Sequence, residues 1–169
     1  MEIREAVAEE YAEAGRVTAD AYREFIHPGD EDWERYLRRI ADVADRAERT
    51  TILVAVEDGR VLGSLTLELD GRVRDEDDEE HRPLQPGEAH IRMLGVDPAA
   101  RARGVARALM AASEARARDA GKTFITLHTT QRMRAARAMY ERLGYERTED
   151  RVFPDGFVLL GYRKQLEVS

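Results

Sequence analysis

The sequence predicts one α/β layer domain, with a mixed central sheet of six to seven strands flanked by about four helices. Three observations carry this. The chain has 169 residues, enough to bury one sizeable core with no demand for a second domain. Its apolar residues fall either in short strand-like runs or at spacings of three and four, and the two patterns alternate along the chain. Gly, Pro and Asp clusters punctuate most changes of pattern.

Ile3 to Val7 reads as extended, and Ala8 to Phe25 then places Tyr11, Ala14, Val17, Ala21 and Phe25 on one helical face. His27, Pro28 and Gly29 break that helix, and Asp30 or Asp32 caps a second one bearing Trp33, Tyr36, Leu37, Ile40 and Val43. Thr51 to Val56 is a compact strand. Asp58 and Gly59 signal a hairpin into Arg60 to Leu69, so the two strands pair antiparallel. Residues 71–87 form a polar loop with Pro83, Pro86 and no sustained period. Glu88 to Val96 is a strand ended by Asp97 and Pro98. Gly104 to Asp119 carries Val105, Ala108, Leu109, Ala112 and Ala115 on one face, with Gly121 as its stop. Thr123 to Leu127 is the next strand and Gln131 to Leu143 the last helix, closed by Gly144. Phe157 to Tyr162 is a final strand after the Pro154, Asp155, Gly156 turn. The order is strand, two helices, three strands, helix, strand, helix, then one or two strands, in one domain over residues 1–169.

Composition narrows the chemistry. There is no cysteine, which excludes a disulfide framework, a thiolate metal site and a cysteine nucleophile. The four histidines lie far apart, and no metal site is expected. The first eleven residues lack the apolar stretch of a signal peptide, and no segment approaches the roughly 20 apolar residues of a membrane span. A soluble cytoplasmic protein without a membrane partner is the expectation. The formal charge is -7, but six acids form one run from Asp75 to Glu80; the 34 acids less those six leave 28 against 27 bases. The acidity is local, a nucleic-acid partner finds no general electrostatic support, and the run reads as a solvated loop.

The informative stretch is Arg101, Ala102, Arg103, Gly104, Val105, Ala106, with Arg107 following, where a strand gives way to a helix. Free N–H groups at a helix start favour an anion. Gly104 and Ala106 leave room for a phosphate chain to approach, and the arginines supply charge-assisted donors. The stretch is neither a P-loop, lacking its Lys-Ser/Thr ending, nor a three-glycine dinucleotide fingerprint. Arg101, Gly104 and Ala106, preceded by the strand Ile91 to Val96, resemble the acetyl-CoA motif of the GNAT family of N-acetyltransferases: Gln/Arg, two residues, Gly, one residue, Gly/Ala. Tyr140, Glu141, Arg142, Leu143, Gly144, Tyr145 resemble the family's second signature, a Tyr-Glu pair followed by a Gly-aromatic pair. The element order fits the family fold over nearly the whole chain.

The resemblance implies acetyl-CoA as co-substrate, no metal, and transfer of acetyl directly to a primary amine of a small molecule or a protein. The backbone of Leu94, Gly95 and Val96 would hold the pantetheine arm like an added strand, and the amides of Arg103 to Arg107 would take the pyrophosphate. The strands Glu88 to Val96 and Thr123 to Leu127 would splay to admit the thioester. Tyr140 matches the family's general acid. The base is open among His90, which stands where many relatives carry glutamate, Glu88 on the same strand face, and His128. Met133 replaces an asparagine that relatives place seven residues before the tyrosine. The changed base position and this replacement leave a second reading, a catalytically weak acetyl-CoA sensor. The family resemblance also allows a homodimer.

Overall fold

The computed structural model describes residues 1–25, 31–70, 83–152, 154 and 156–167. The elements run β1 (Glu2–Glu5), a 3-10 turn (Ala8–Glu10), α1 (Tyr11–Arg23), α2 (Glu31–Ala41), α3 (Val43–Ala47), β2 (Thr51–Glu57), β3 (Arg60–Glu68), β4 (Glu88–Val96), a 3-10 turn (Pro98–Ala100), α4 (Val105–Asp119), β5 (Phe124–Thr129), α5 (Arg134–Arg142), β6 (Glu146–Arg147), β7 (Arg151–Val152) and β8 (Val158–Gln165). They form one sheet in the order β1-β2-β3-β4-β5-β8-β6, with β7 also on β8. Among the described residues only β4 and β5 pair parallel, and α4 is the crossover that a parallel pair requires.

The expected mixed α/β layers are present, with local differences. Among the described residues the sheet has eight strands against the six to seven expected, because β6 and β7 are two-residue segments that pair with β8 and are too short to show a period. The α-helices among the described residues number five, against about four expected. Asp42 interrupts the second helix by accepting from the Asp45 N–H at 3.2 Å, a local side-chain cap that competes with helix continuation, so Val43 opens the separate α3. Asp32 lies inside α2, which begins at Glu31. His27, Pro28, Gly29, Asp30, the acidic run Asp75 to Glu80 and Asp155 lie outside the described residues. Pro83 to Gly87 form neither helix nor strand. The hairpin turn is as expected: Asp58 and Gly59 have φ of 50° and 76°, the paired left-handed residues of a type I′ turn.

Helices cover both sheet faces, so the central strands read as apolar runs. Leu53, Ala55, Leu65, Leu67, Ile125 and Leu127 pack with Val105, Leu109 and Met110 of α4 and Met139 and Tyr140 of α5. On the other face Ile52, Val54 and Val61 pack with Ala14, Val17 and Val43, and Met93 packs with Ala19, Leu37 and Ile40. None of the described helices is long and apolar enough to cross a membrane.

One irregularity in β4 positions everything that follows. Ser64 pairs with Gly95 and Thr66 with Arg92, so Met93 and Leu94 together face Leu65 in a β-bulge, and Met93 takes a φ of 53°. The extra residue reverses the strand's parity. Before it, Ala89 and Ile91 point to the α4 face; after it, Leu94 and Val96 do, while Gly95 turns to α1. The parallel pairing with β5 stops at Ile91 opposite Leu127, and β5 continues on its other edge against β8 as far as Thr129. Arg92 to Val96 therefore run on without β5.

Candidate active site

The anion end is built from backbone. Asp97 accepts from the Ala99 N–H at 3.0 Å, and the chain then turns through Ala102 (φ 63°) and Gly104 (φ 80°) into α4. Two left-handed residues in four reverse the loop, and at Gly104 the absent side chain makes that conformation cheap. Among the described residues none accepts from the N–H groups of Gly104 to Arg107; the first α4 N–H in use is that of Ala108, 3.0 Å from the Gly104 carbonyl oxygen. A 15-residue helix thus presents its positive end and a row of donors, which fits a pyrophosphate. The arginines are held beside it by carboxylates, Arg101 by Glu24 at 3.1 Å and Arg103 by Glu57. Arg107 is exposed.

The opening between β4 and β5 leads to a cleft of about 450 Å³ lined by Tyr22, Tyr36, His90, Arg92, His128 and Met133 among others. Glu88, His90 and Arg92 lie on one face of β4, as strand alternation predicts. The Thr126 hydroxyl joins the first two. It donates to Glu88 Oε2 at 2.5 Å and lies 2.7 Å from His90 Nδ1, while Glu88 Oε1 accepts from the Gln85 N–H at 2.9 Å. Glu88 is fully buried and His90 is half-buried at the cleft wall. The His128 ring sits 5.5 Å from that of His90. Arg92 pairs with buried Glu68 at 3.4 Å. Arg46 lies behind them, donating to the Ile40 carbonyl at the end of α2 at 2.8 Å; burial, and then Arg92, push its guanidinium down to about 10.

Tyr140 is buried on the inner face of α5, its ring 6.0 Å from Tyr145 and 5.9 Å from Tyr162. Burial raises the pKa of its hydroxyl above the ordinary phenol value, with Tyr22 and Tyr162 adding to the rise. Tyr22 is a cleft residue. Met133 stands at the start of α5 and its sulfur accepts from the Thr129 hydroxyl at 3.4 Å. Sequence reading had no signal for Thr126: alternation puts it on the same face as His128, but its partnership with His90 depends on the parallel register. Tyr22 and Tyr36 read only as helix positions. Among the described residues, no group of three or more His, Cys, Asp or Glu is placed to hold a metal ion.

A parallel strand pair that unzips beside a basic helix start is the frame of the GNAT-type N-acetyltransferases. The chain belongs to that family: the model of the acetyltransferase (GNAT) family matches residues 7–145. Solved structures share the fold. A GNAT-family protein from Desulfovibrio desulfuricans is 17% identical over 98% of this chain and 99% of its own, with a TM-score of 0.72. The Salmonella typhimurium protein yncA with its cofactor acetyl-CoA is 20% identical over 99% and 94%, at 0.68. The ribosomal-protein-S18-alanine N-acetyltransferase of Escherichia coli is 16% identical over 99% and 95%, at 0.67. No curated protein matches the sequence.

Proposed function

We propose that the protein transfers acetyl from acetyl-CoA directly to a primary amine of a small molecule or a protein, with His90 as base and Tyr140 as acid. The observation that carries this is the end of β4–β5 pairing at Ile91 and Leu127, which leaves an open strand edge leading from His90 to the helix start at Gly104. Acetyl-CoA supplies the activated thioester. The Leu94, Gly95, Val96 backbone is suited to run beside the pantetheine arm, and the N–H groups of Arg103 to Arg107 to take the pyrophosphate, with Arg101 exchanging its Glu24 partner for phosphate oxygens. The neighbours' acceptors, a ribosomal-protein alanine in one case and an aminoglycoside in another, support an amine without choosing between small molecule and protein.

An alkylammonium with a pKa of about 10 must lose a proton before it attacks, and an imidazole titrating near neutrality is suited to take it. Tyr140, like any phenol, is protonated at neutral pH, and its environment opposes ionisation further. It serves best as a hydrogen-bond donor that stabilises charge developing on the departing sulfur, since the conjugate thiol, near 8 to 9, is the stronger acid. The test is thiol release from acetyl-CoA across a panel of primary amines, with Tyr140→Phe as control. Turnover on at least one amine is expected, falling about 100-fold or more in the variant. Coenzyme A affinity should stay unchanged, and so should thermal stability, because the Tyr140 hydroxyl bonds to no described residue. Binding without turnover on any amine would leave the sensor reading in its place.

A further inference from the structure

The Glu88, Thr126, His90 arrangement has a directionality that fixes where protons sit. A threonine hydroxyl has one proton to give. A carboxylate can only accept, so with Glu88 ionised the contact at 2.5 Å uses that proton, and Thr126 Oγ1 then meets His90 Nδ1, 2.7 Å away, as an acceptor. Neutral His90 must carry its proton on Nδ1, which puts the lone pair on Nε2. The register builds this without strain: His90 is the Cα partner of Thr126, and Glu88 stands two residues earlier on the same face of β4. Branching at Cβ limits the Thr126 side chain to few rotamers and so holds the hydroxyl between its two partners.

We propose that Thr126 is a positioning residue for the reaction, holding His90 in the Nδ1–H tautomer and relaying the influence of buried Glu88 to the ring. The inference rests on His90 being the base. Nε2 then takes the proton from the acceptor ammonium, the Nδ1 proton stays where it is, and the imidazolium that forms is stabilised through the hydroxyl by a carboxylate that water does not reach. Glu88 acts through Thr126 and touches no substrate.

Among the described residues, the groups facing His90 include Glu88 and Arg92 on β4, Glu68 opposite it on β3, His128 on β5, and Tyr22 and Tyr36 across the cleft. Thr126→Val and Thr126→Ser leave all of them in place; the first replaces the hydroxyl by a methyl group and the second keeps the hydroxyl and removes the methyl group, so a change from wild type seen in Thr126→Val and not in Thr126→Ser reads the hydroxyl. The experiment is long-range proton–nitrogen NMR on the full chain with nitrogen-labelled histidine, the His90 signals being assigned by their loss in His90→Gln. The wild-type protein is expected to show His90 protonated on Nδ1 above its titration. Thr126→Ser should keep that pattern. Thr126→Val should lose the Nδ1–H signal preference and titrate at lower pH, since the ring is uncoupled from Glu88. A wild-type His90 protonated on Nε2 overturns the proposal, and needs no variant to fold; so does a Thr126→Val spectrum and titration identical to wild type. Turnover separates the two ideas: full activity in His90→Gln removes the base role while leaving the tautomer result standing, whereas an Nε2–H spectrum removes the relay and leaves the base role to be judged by activity.

Discussion

Adding one methyl group at Gly63 tests whether sheet packing sets the cofactor site. A Cβ there would stand 2.8 Å from Val105 Cγ1, 3.1 Å from the Gly95 carbonyl oxygen and 3.2 Å from Leu109 Cδ1. Val105 is the first residue of α4, and both it and Leu109 are buried. A β-branched side chain in a helix has one favoured rotamer, and the Gly95 oxygen is backbone of the unzipped segment, so neither yields by simple rotation. The relief left is a displacement of the first turn of α4. Overpacking of this kind costs about 1–3 kcal/mol, offset by about 0.4–1 kcal/mol from the reduced freedom of the unfolded chain. A net cost of about 1–2 kcal/mol lowers Tm by roughly 2–8 °C in a chain of this size. Because the displaced turn carries the N–H groups proposed for the pyrophosphate, coenzyme A affinity should fall as well. Val43→Ala, a buried substitution on the opposite sheet face, should lower Tm without that loss. Thermal unfolding and calorimetric titration of coenzyme A into Gly63→Ala, Val105→Ala and the double variant provide the measurement. In the double variant the clash is partly relieved, so its cost should be less than the sum of the single costs. Unchanged Tm and affinity in Gly63→Ala, or strictly additive costs in the double variant, would refute the reasoning.

Two further outcomes follow from charge. Glu24 and Glu57 compete with a pyrophosphate for Arg101 and Arg103, so Glu24→Ala and Glu57→Ala should each tighten coenzyme A binding by roughly two- to threefold at low ionic strength, an advantage that salt erases; Arg101→Ala should weaken it. Glu10 is held below the ordinary carboxylate range chiefly by its hydrogen bond to Arg4, helped by the Val7 N–H. A folded-state pKa below the unfolded one gives stability that is full above the unfolded value and lost as pH falls through the folded value. The Tm deficit of Glu10→Gln should therefore be present at neutral pH and shrink as pH falls below the ordinary carboxylate range in a thermal-unfolding series.

The features legible in the sequence are those whose cause is local. The Asp58–Gly59 turn needs two left-handed residues and the sequence supplies an Asp-Gly pair, so β2 and β3 fall where alternation puts them. Glu88 to Val96 matches β4 end to end because Asp97 and Pro98 stop it. Gly104 marks the start of α4 because a left-handed cap is costly for any other residue. What escaped depends on side-chain cap geometry or on non-local pairing. Asp42 splits a helix whose apolar spacing continues through Val43, and only the cap geometry reveals the break. Thr126 looks like any β-branched strand residue until the parallel register sets it between Glu88 and His90. The bulge leaves no composition signal, since Met93 has no special fitness for a positive φ.

That bulge bears on the proposed donor site. A non-glycine residue at φ 53° is unfavourable, and such strain persists only where surrounding packing over-determines it. Here Ala19, Leu37 and Ile40 bury Met93 from the α1–α2 side, while Leu94 and Val96 are held against the α4 core. The packing on both faces thus enforces the parity switch, and the switch comes where β4 parts from β5. The proposed donor site then consists of backbone: among the described residues, a strand edge without a partner strand and a helix start without acceptors. Met133, where the family resemblance implies an asparagine, would take one side chain from such a site and leave its frame. The proton-moving groups have no such protection. His90, Thr126 and Tyr140 are side chains whose identities define the proposed chemistry, so substitutions among them should change rate far more than coenzyme A affinity, whereas substitutions that move the backbone at Met93 or Gly63 should do the reverse.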